Sequence, residues 1–308
     1  MCGMEKGYSS RSVVFFALIA NLFIALMKLI VALITRSSAM LAETIHSFAD
    51  TFNQVFLLIG IRKGKKEPDS LHPFGYSGEL YFWSFVVAIM LFTMGAVFSI
   101  YEGIHKLLHP HVIESIHYAY LVLVLSLVAE LVAFRRAYKK IEREKEGMKL
   151  WQYLRLTKSS ELIVVFLEDL AAVAGLITAI VFLFVEQMTG ILVFDGIASI
   201  VIGLILGLVA LFLGRETRSL LLGESASPEL VQKISDILAK EESIDKVIFL
   251  KSLQLGPEDI LLAGKVEFNH RLTVMEMSNL INGMEKEIRE KFPHVRKIYL
   301  EPDILRTS

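Results

Sequence analysis

Thiol chemistry is almost absent from this chain. Cys2 is the single cysteine among 308 residues, so no disulfide can form within one chain and no thiolate cluster can hold a metal. Phosphate-binding loops are missing as well: no GxxxxGK(S/T) run occurs, which removes the usual nucleotide site of a primary pump. There is no HExxH and no apparent catalytic trio, so an intramembrane metalloprotease has no chemistry to use. Net charge is also scarce. The formal balance of -1 gives no reason to expect nucleic acid as a partner.

Apolar sequence, by contrast, is abundant. The chain is 54% hydrophobic with a mean hydropathy of +0.54. Its charges gather in short connectors and in the last third, as in a membrane domain joined to a soluble tail. Six apolar stretches, at about 13–34, 38–61, 80–101, 116–134, 162–185 and 191–213, approach or exceed the roughly 20 residues that cross a bilayer as helix. The first is too long for a signal h-region and lacks a small-residue cleavage site, and the N-terminus has no arginine-rich transit pattern; it reads as a retained span. Lysine and arginine set the orientation. Lys6 and Arg11 precede the first stretch, Arg62, Lys63, Lys65 and Lys66 fill the second connector, and a basic run from Arg135 to Lys158 fills the fourth, whereas the opposite side holds only Arg36 and Lys106. Both termini are therefore expected in the cytoplasm, with the chain in a plasma (inner) membrane.

The expected fold is a six-helix transmembrane bundle followed by a cytoplasmic α+β domain. The division runs 1–214 for the transport domain, 215–226 for a linker and 227–308 for the tail. Ser227-Pro228-Glu229 opens a helix with an N-cap hydroxyl, a first-turn proline and an acid at the positive end. Lys246–Leu253, Ile260–Phe268 and Val295–Leu300 read as strands, with a turn at Gly256-Pro257-Glu258-Asp259 and a helix over Thr273–Phe292. The order αββαβ suggests a small mixed sheet with helices on one face, ferredoxin-like or metallochaperone-like, and able to dimerise.

Ionisable groups interrupt the apolar stretches where they are costly and therefore point to function. Glu43, His46, Asp50 and Asn53 recur at i, i+3, i+7 and i+10, which puts them on one face of the second helix. Asp50 lies about 18 Å into its span and Asp169 about 10 Å into the fifth, so both fall within a hydrocarbon layer about 30 Å thick. One imidazole and two or three carboxylates suit Zn²⁺, and the lack of thiolates keeps Mn²⁺, Fe²⁺, Co²⁺ and Ni²⁺ available. A polar network that only glues helices is the alternative. Elsewhere, Lys28 is expected to snorkel outward, Glu130 to pair with a base near the cytoplasmic end of the fourth span, and Asp195 to cap the sixth helix. Ser199, Gly203 and Gly207 form a small-xxx-small stripe suited to a close helix contact.

At this point the residues resemble a known family, the cation diffusion facilitators. The match runs through Asn21-Leu22 and Lys28, Ser38-Ala39-Met40-Leu41-Ala42-Glu43, His46-Ser47-Phe48-Ala49-Asp50 and Asn53-Gln54. It continues through His72-Pro73-Phe74-Gly75-Tyr76, Glu102-Gly103 and Asp195-Gly196. The resemblance implies a homodimeric secondary transporter, not an enzyme and without a cofactor, that exports divalent metal against protons. Its transport site would take His46 and Asp50 from the second span and Asp169 from the fifth. The other fifth-span ligand position falls on Val165, and Glu168 in the adjacent turn would supply the oxygen instead. Glu43 is a further candidate. In the connector, Asp69 and His72 match two positions of an accessory metal site, with Tyr76 where a histidine would complete it. The tail has Leu300 at a usual histidine position, so no strong metal site is expected there. A membrane metal sensor that binds without transporting is the rival reading.

Overall fold

The structure, a computed structural model, describes residues 7–110, 112–113, 115–145 and 147–304. Cys2 and Lys6 lie outside the described residues. The chain divides into two compact units, one made of residues 1–60, 83–155 and 160–216 and the other of 61–82, 156–159 and 217–308.

The first unit is helical. Its elements are α1 (Gly7–Thr35), α2 (Ser38–Gly64), α3 (Glu79–Met90), a π-helical segment (Leu91–Val97) and α4 (Phe98–Leu108). They are followed by α5 (Ile116–Glu144), the short α6 (Leu150–Leu156), α7 (Ser160–Thr189) and α8 (Val193–Leu222). Among the described residues, four helical columns, Glu79–Leu108, Ile116–Glu144, Ser160–Thr189 and Val193–Leu222, are long and apolar enough to cross a membrane. The described apolar part of α1, Asn21–Thr35, is shorter, and the polar face of α2 lowers that helix's hydropathy. The break between α1 and α2 is a left-handed turn at Arg36, with φ 55°.

Small residues set the separation of α4 and α8. A Cβ added at Gly103 would stand 2.6 Å from the Gly196 carbonyl oxygen, and one at Gly203 would stand 2.9 Å from the Ala96 oxygen. Ser199 Oγ donates to the Ser99 carbonyl at 2.8 Å. The expected small-residue stripe is thus a helix contact.

The second unit carries the α+β part: α9 (Pro228–Ala239), β1 (Ile244–Gly256), β2 (Asp259–Phe268), α10 (Val274–Lys291) and β3 (Val295–Pro302). The sheet order is β1-β2-β3, with β1 antiparallel and β3 parallel to the central β2. The alternation of buried residues along β2 follows from the period of two in a strand. Ile234 and Leu238 of α9, Leu262 and Val266 of β2, Met284 and Ile288 of α10, and Val295 and Ile298 of β3 share one core. The cap at Ser227 forms as the sequence suggests, and a second one closes the start of α10. Ser227 Oγ accepts from Leu230 N, and Thr273 with Glu276 makes a reciprocal capping box at α10.

Candidate metal site in the helical unit

The polar face of α2 is buried as its spacing requires. Glu43, His46 and Asn53 are each at most 1% exposed, while Asp50 is 15% exposed at its side chain. His46 Nδ1 lies 3.4 Å from Asp50 Oδ1, one helical turn away. Opposite them stands α7. Asn53 Nδ2 donates to Glu168 Oε1, which brings Glu168 of α7 against the polar face of α2. Further along, Gly175 leaves room for the Glu43 carboxylate. The pairs 53/168 and 43/175 show α2 and α7 running side by side in opposite directions, and the two ionisable sets therefore meet.

Five buried atoms on this α2 face have no hydrogen-bond partner: Glu43 Oε1, both ring nitrogens of His46, Asp50 Oδ1 and Asn53 Oδ1. Leaving such groups unmade costs roughly 1–3 kcal/mol each, so a concentration of them on one face needs a chemical reason. Among the described residues, no group of three His, Cys, Asp or Glu side chains stands in position to hold a metal together. Asp169 explains part of that. It is half-buried, and among the described residues it makes no hydrogen bond or ion pair with His46 or Asp50. Val165 is exposed on α7, whereas Glu168 is buried.

Three sequence expectations are corrected here. Lys28 does not snorkel: it is 1% exposed, and its Nζ binds Glu43 Oε2 at 3.1 Å and Ser47 Oγ at 2.8 Å. Depth along a helix is legible in sequence, but α1's rotation, which turns Lys28 toward α2, is not. Asp195 caps α2 rather than its own helix. Its carboxylate accepts from Ser37 Oγ at 2.5 Å, Ser38 N at 2.6 Å and Ala39 N at 3.1 Å, and Lys106 Nζ lies 3.5 Å away. Glu186 Oε2 instead accepts from the Asp195 amide at 3.0 Å. Among the described residues Glu130 makes no ion pair with a base, and α5 runs on to Glu144, which leaves it at mid-helix. It lies within electrostatic reach of Lys28 as well as of Glu43, Asp50, Glu168 and Asp169. Sequence gave it too little weight; its signal was a lone acid one turn from Phe134, which stacks on Phe166 of α7 at 5.5 Å.

The connector candidates sit elsewhere, in the second unit. Asp69 Oδ1 accepts from the amides of Leu71 and His72, and Oδ2 accepts from Tyr76 Oη at 2.6 Å and faces Lys66 Nζ at 3.4 Å. The Tyr76 hydroxyl, then the His72 amide, hold its carboxyl well below the usual carboxylate range. His72 packs against Tyr76 in a tilted contact, with ring centroids 4.2 Å apart. Both Asp69 oxygens are thus committed to donors, one of them a cation, and the loop is built as a turn.

Residues 14–222 match the cation efflux transmembrane domain. The chain belongs to the cation efflux family. Among this family's members, the human mitochondrial proton-coupled zinc antiporter SLC30A9 is 34% identical over 84% of this chain and 46% of its own length. Metal tolerance protein C4 of Arabidopsis thaliana is 31% identical over 86% of this chain and 58% of its own. The manganese efflux system protein MneP of Bacillus subtilis is 24% identical over 96% of both. The chain thus spans about half the length of the first two relatives, and nearly all of the third.

Proposed function

We propose that this chain exports a divalent metal cation from the cytoplasm in exchange for protons, with Zn²⁺ as its first substrate. The observation that carries the reading is the set of unpartnered ligand atoms on α2 facing Glu168 of α7. His46, Asp50 and Glu168 would form the core of the site, with Asp169 joining when α7 turns toward α2. A metal ligand must be deprotonated, so an arriving cation takes the place of any protons on Asp50, Glu168 and His46. Opening to the other side reverses the exchange. The Lys28–Glu43 pair keeps one carboxylate neutralised beside the site, which limits how much positive charge the cavity must accept.

In this reading α1, α2, the α3–α4 column, α5, α7 and α8 are six spans of a plasma or inner membrane with both termini cytoplasmic. Residues 1–214 are the transport domain, 215–226 the linker, and 227–308 a cytoplasmic domain that pairs two copies. The basic connectors on one side support the orientation. A manganese substrate is the second reading, favoured by a donor set dominated by carboxylate oxygen and by the name of the Bacillus relative.

The purified full chain in liposomes, with metal and pH dyes inside, tests the proposal. Zn²⁺ flux should drive opposite proton flux, and Asp50→Ala or Glu168→Ala should reduce both to the rate of empty vesicles. Uncoupled liposomes, with no flux of Zn²⁺, Mn²⁺, Fe²⁺ or Co²⁺, would overturn it. Full activity of Glu168→Ala would remove that residue from the site while sparing the transporter reading.

A further inference from the structure

The apolar sequence of α5 ends near Phe134, but the helix continues to Glu144, and this extension is sorted by face. Arg136, Lys139, Lys140 and Arg143 recur at i, i+3, i+4 and i+7, the spacing of one helix face, and all four are exposed. Ala137 and Ile141, on another face, are buried. Glu144, one turn beyond Ile141, accepts from Tyr153 Oη of α6 at 2.6 Å, which ties α6 to that side. Glu142 pairs with Lys145 at 2.9 Å. Among the described residues no acid pairs with any of the four cations, and like charges at i and i+4 destabilise a helix that nothing neutralises. The short helix α6 adds an aromatic group. Trp151, 52% exposed, packs against Phe212 of α8 with ring centroids 4.9 Å apart, and the Arg155 guanidinium lies 5.1 Å over the same indole. Phe212 stands where the apolar run of α8 gives way to Arg215. An indole at that level, with a cation on its face, is the pairing of a membrane interface.

We propose that the α5 extension and α6 form a docking surface for anionic phospholipids. The four cations would face the headgroup phosphates, with Trp151 at the hydrocarbon edge. The inference rests on the reading of α5 and α8 as membrane spans. At 1.5 Å of rise per residue, Arg136 lies about 3 Å beyond Phe134 and Arg143 about 14 Å beyond it. The headgroup layer is about 5–8 Å thick on each side of the hydrocarbon. Arg136 therefore lies within that layer and Lys139 and Lys140 at its outer margin. Arg143 remains within one Debye length of it, about 8 Å at physiological salt. Arginine also matches phosphate with two parallel donors. A signal for orientation alone needs cations near the end of a span, on any face. Here they are aligned on one face, unpaired, beside an interfacial tryptophan, and a cationic cluster just outside a span selects acidic lipid.

The full chain, reconstituted in phosphatidylcholine bilayers with a varied fraction of phosphatidylglycerol, tests the surface. In a Trp83→Phe background the tryptophan emission comes from Trp151, and lipids brominated in their acyl chains quench it on contact. Brominated phosphatidylglycerol should compete for that position at least about fivefold better than brominated phosphatidylcholine, the effect of roughly one basic residue near the surface. Adding Arg136→Gln, Lys139→Gln, Lys140→Gln and Arg143→Gln should bring the ratio to about one, and 0.5 M salt should lower it in the parent, on the order expected from a shorter Debye length. In the unsubstituted chain, trypsin should cut within residues 136–149 more slowly in nanodiscs containing phosphatidylglycerol than in pure phosphatidylcholine. Soluble glycerol phosphate should give no such protection. Equal quenching by the two lipids, a preference that survives the four substitutions, cleavage indifferent to lipid charge, or equal protection by soluble phosphate would each overturn the proposal. No quenching by either lipid would remove the spans themselves and this surface with them. The preference is read without transport, so a chain that carries no zinc would leave it standing.

Discussion

Lys28 illustrates how single residues in this protein combine cost and purpose. An ammonium at 1% exposure is tolerable only when its charge and its protons are both answered, and Glu43 and Ser47 answer them from one face of α2. Removing one member of such a pair strands the other. Lys28→Met should therefore destabilise the folded protein by on the order of 3–5 kcal/mol, while the double variant Lys28→Met/Glu43→Gln should recover much of the loss. Thermal unfolding in detergent measures both, and purely additive losses would mean that the two side chains do not act as a pair. At this scale the sequence was most informative where a residue's type and spacing decide its role. The i, i+3, i+7, i+10 pattern placed Glu43, His46, Asp50 and Asn53 on one buried face before any contact was known. It was least informative where the answer lies in another helix's rotation. Nothing near Asp195 in the chain announces that it caps α2, more than 150 residues earlier.

Helices are the scale at which the small residues act. Gly103 and Gly196 bring α4 and α8 so close that a methyl group at either position meets backbone, which cannot move aside as a flexible side chain can. Gly103→Ala should therefore cost about 1–3 kcal/mol through overpacking, and Gly203→Ala a similar amount. By contrast, Gly283→Ala on α10 meets nothing within 4 Å and should be neutral or slightly stabilising. Melting temperatures of the three variants separate the cases, and an equal response would show that the contact does not limit packing. The stripe Ser199, Gly203 and Gly207 was visible in the sequence because small residues at a spacing of four have few other uses in apolar helices. The end of α5 was less visible. The apolar run stops near residue 134, yet the helix continues through charged residues to Glu144, and that extension turns Glu130 from a terminal residue into a central one. At mid-helix, Glu130 lies within electrostatic reach of Asp50, Glu168 and Asp169. Glu130→Gln should weaken zinc binding at the proposed site by about tenfold, the effect of roughly 1.4 kcal/mol; a zinc titration with unchanged affinity would rule out that contribution.

For the molecule as a whole, the question is how the segment that follows α2 is held. The connector is not a free loop: Ser77 Oγ donates to Asp259 Oδ2 at 2.7 Å, and Lys297 Nζ grips both oxygens of the same carboxylate at 2.7 and 2.8 Å. Asp259, 5% exposed, thus joins the connector, the start of β2 and the parallel strand β3 at one point. Tyr81 Oη adds a bond to the Lys158 carbonyl at 3.2 Å, and Lys158 in turn pairs with Glu224. None of this was legible in the sequence, where Asp259 appeared only as the last residue of a turn; local pattern reports turn chemistry, not which distant hydroxyl a turn's carboxylate will meet. Two substitutions separate the connector's attachment from the sheet's own stability. Ser77→Ala removes only the connector's bond and leaves the Asp259–Lys297 pair intact, so cleavage by trypsin at Arg62–Lys66 should speed up while the unfolding of residues 227–308 stays unchanged. Asp259→Ala also strands Lys297 and should lower the stability of that unit by about 1–3 kcal/mol, speeding cleavage further. Equal cleavage rates for both variants and the parent chain would show that the connector is held by its own turn at Asp69 and not by its contact with the sheet.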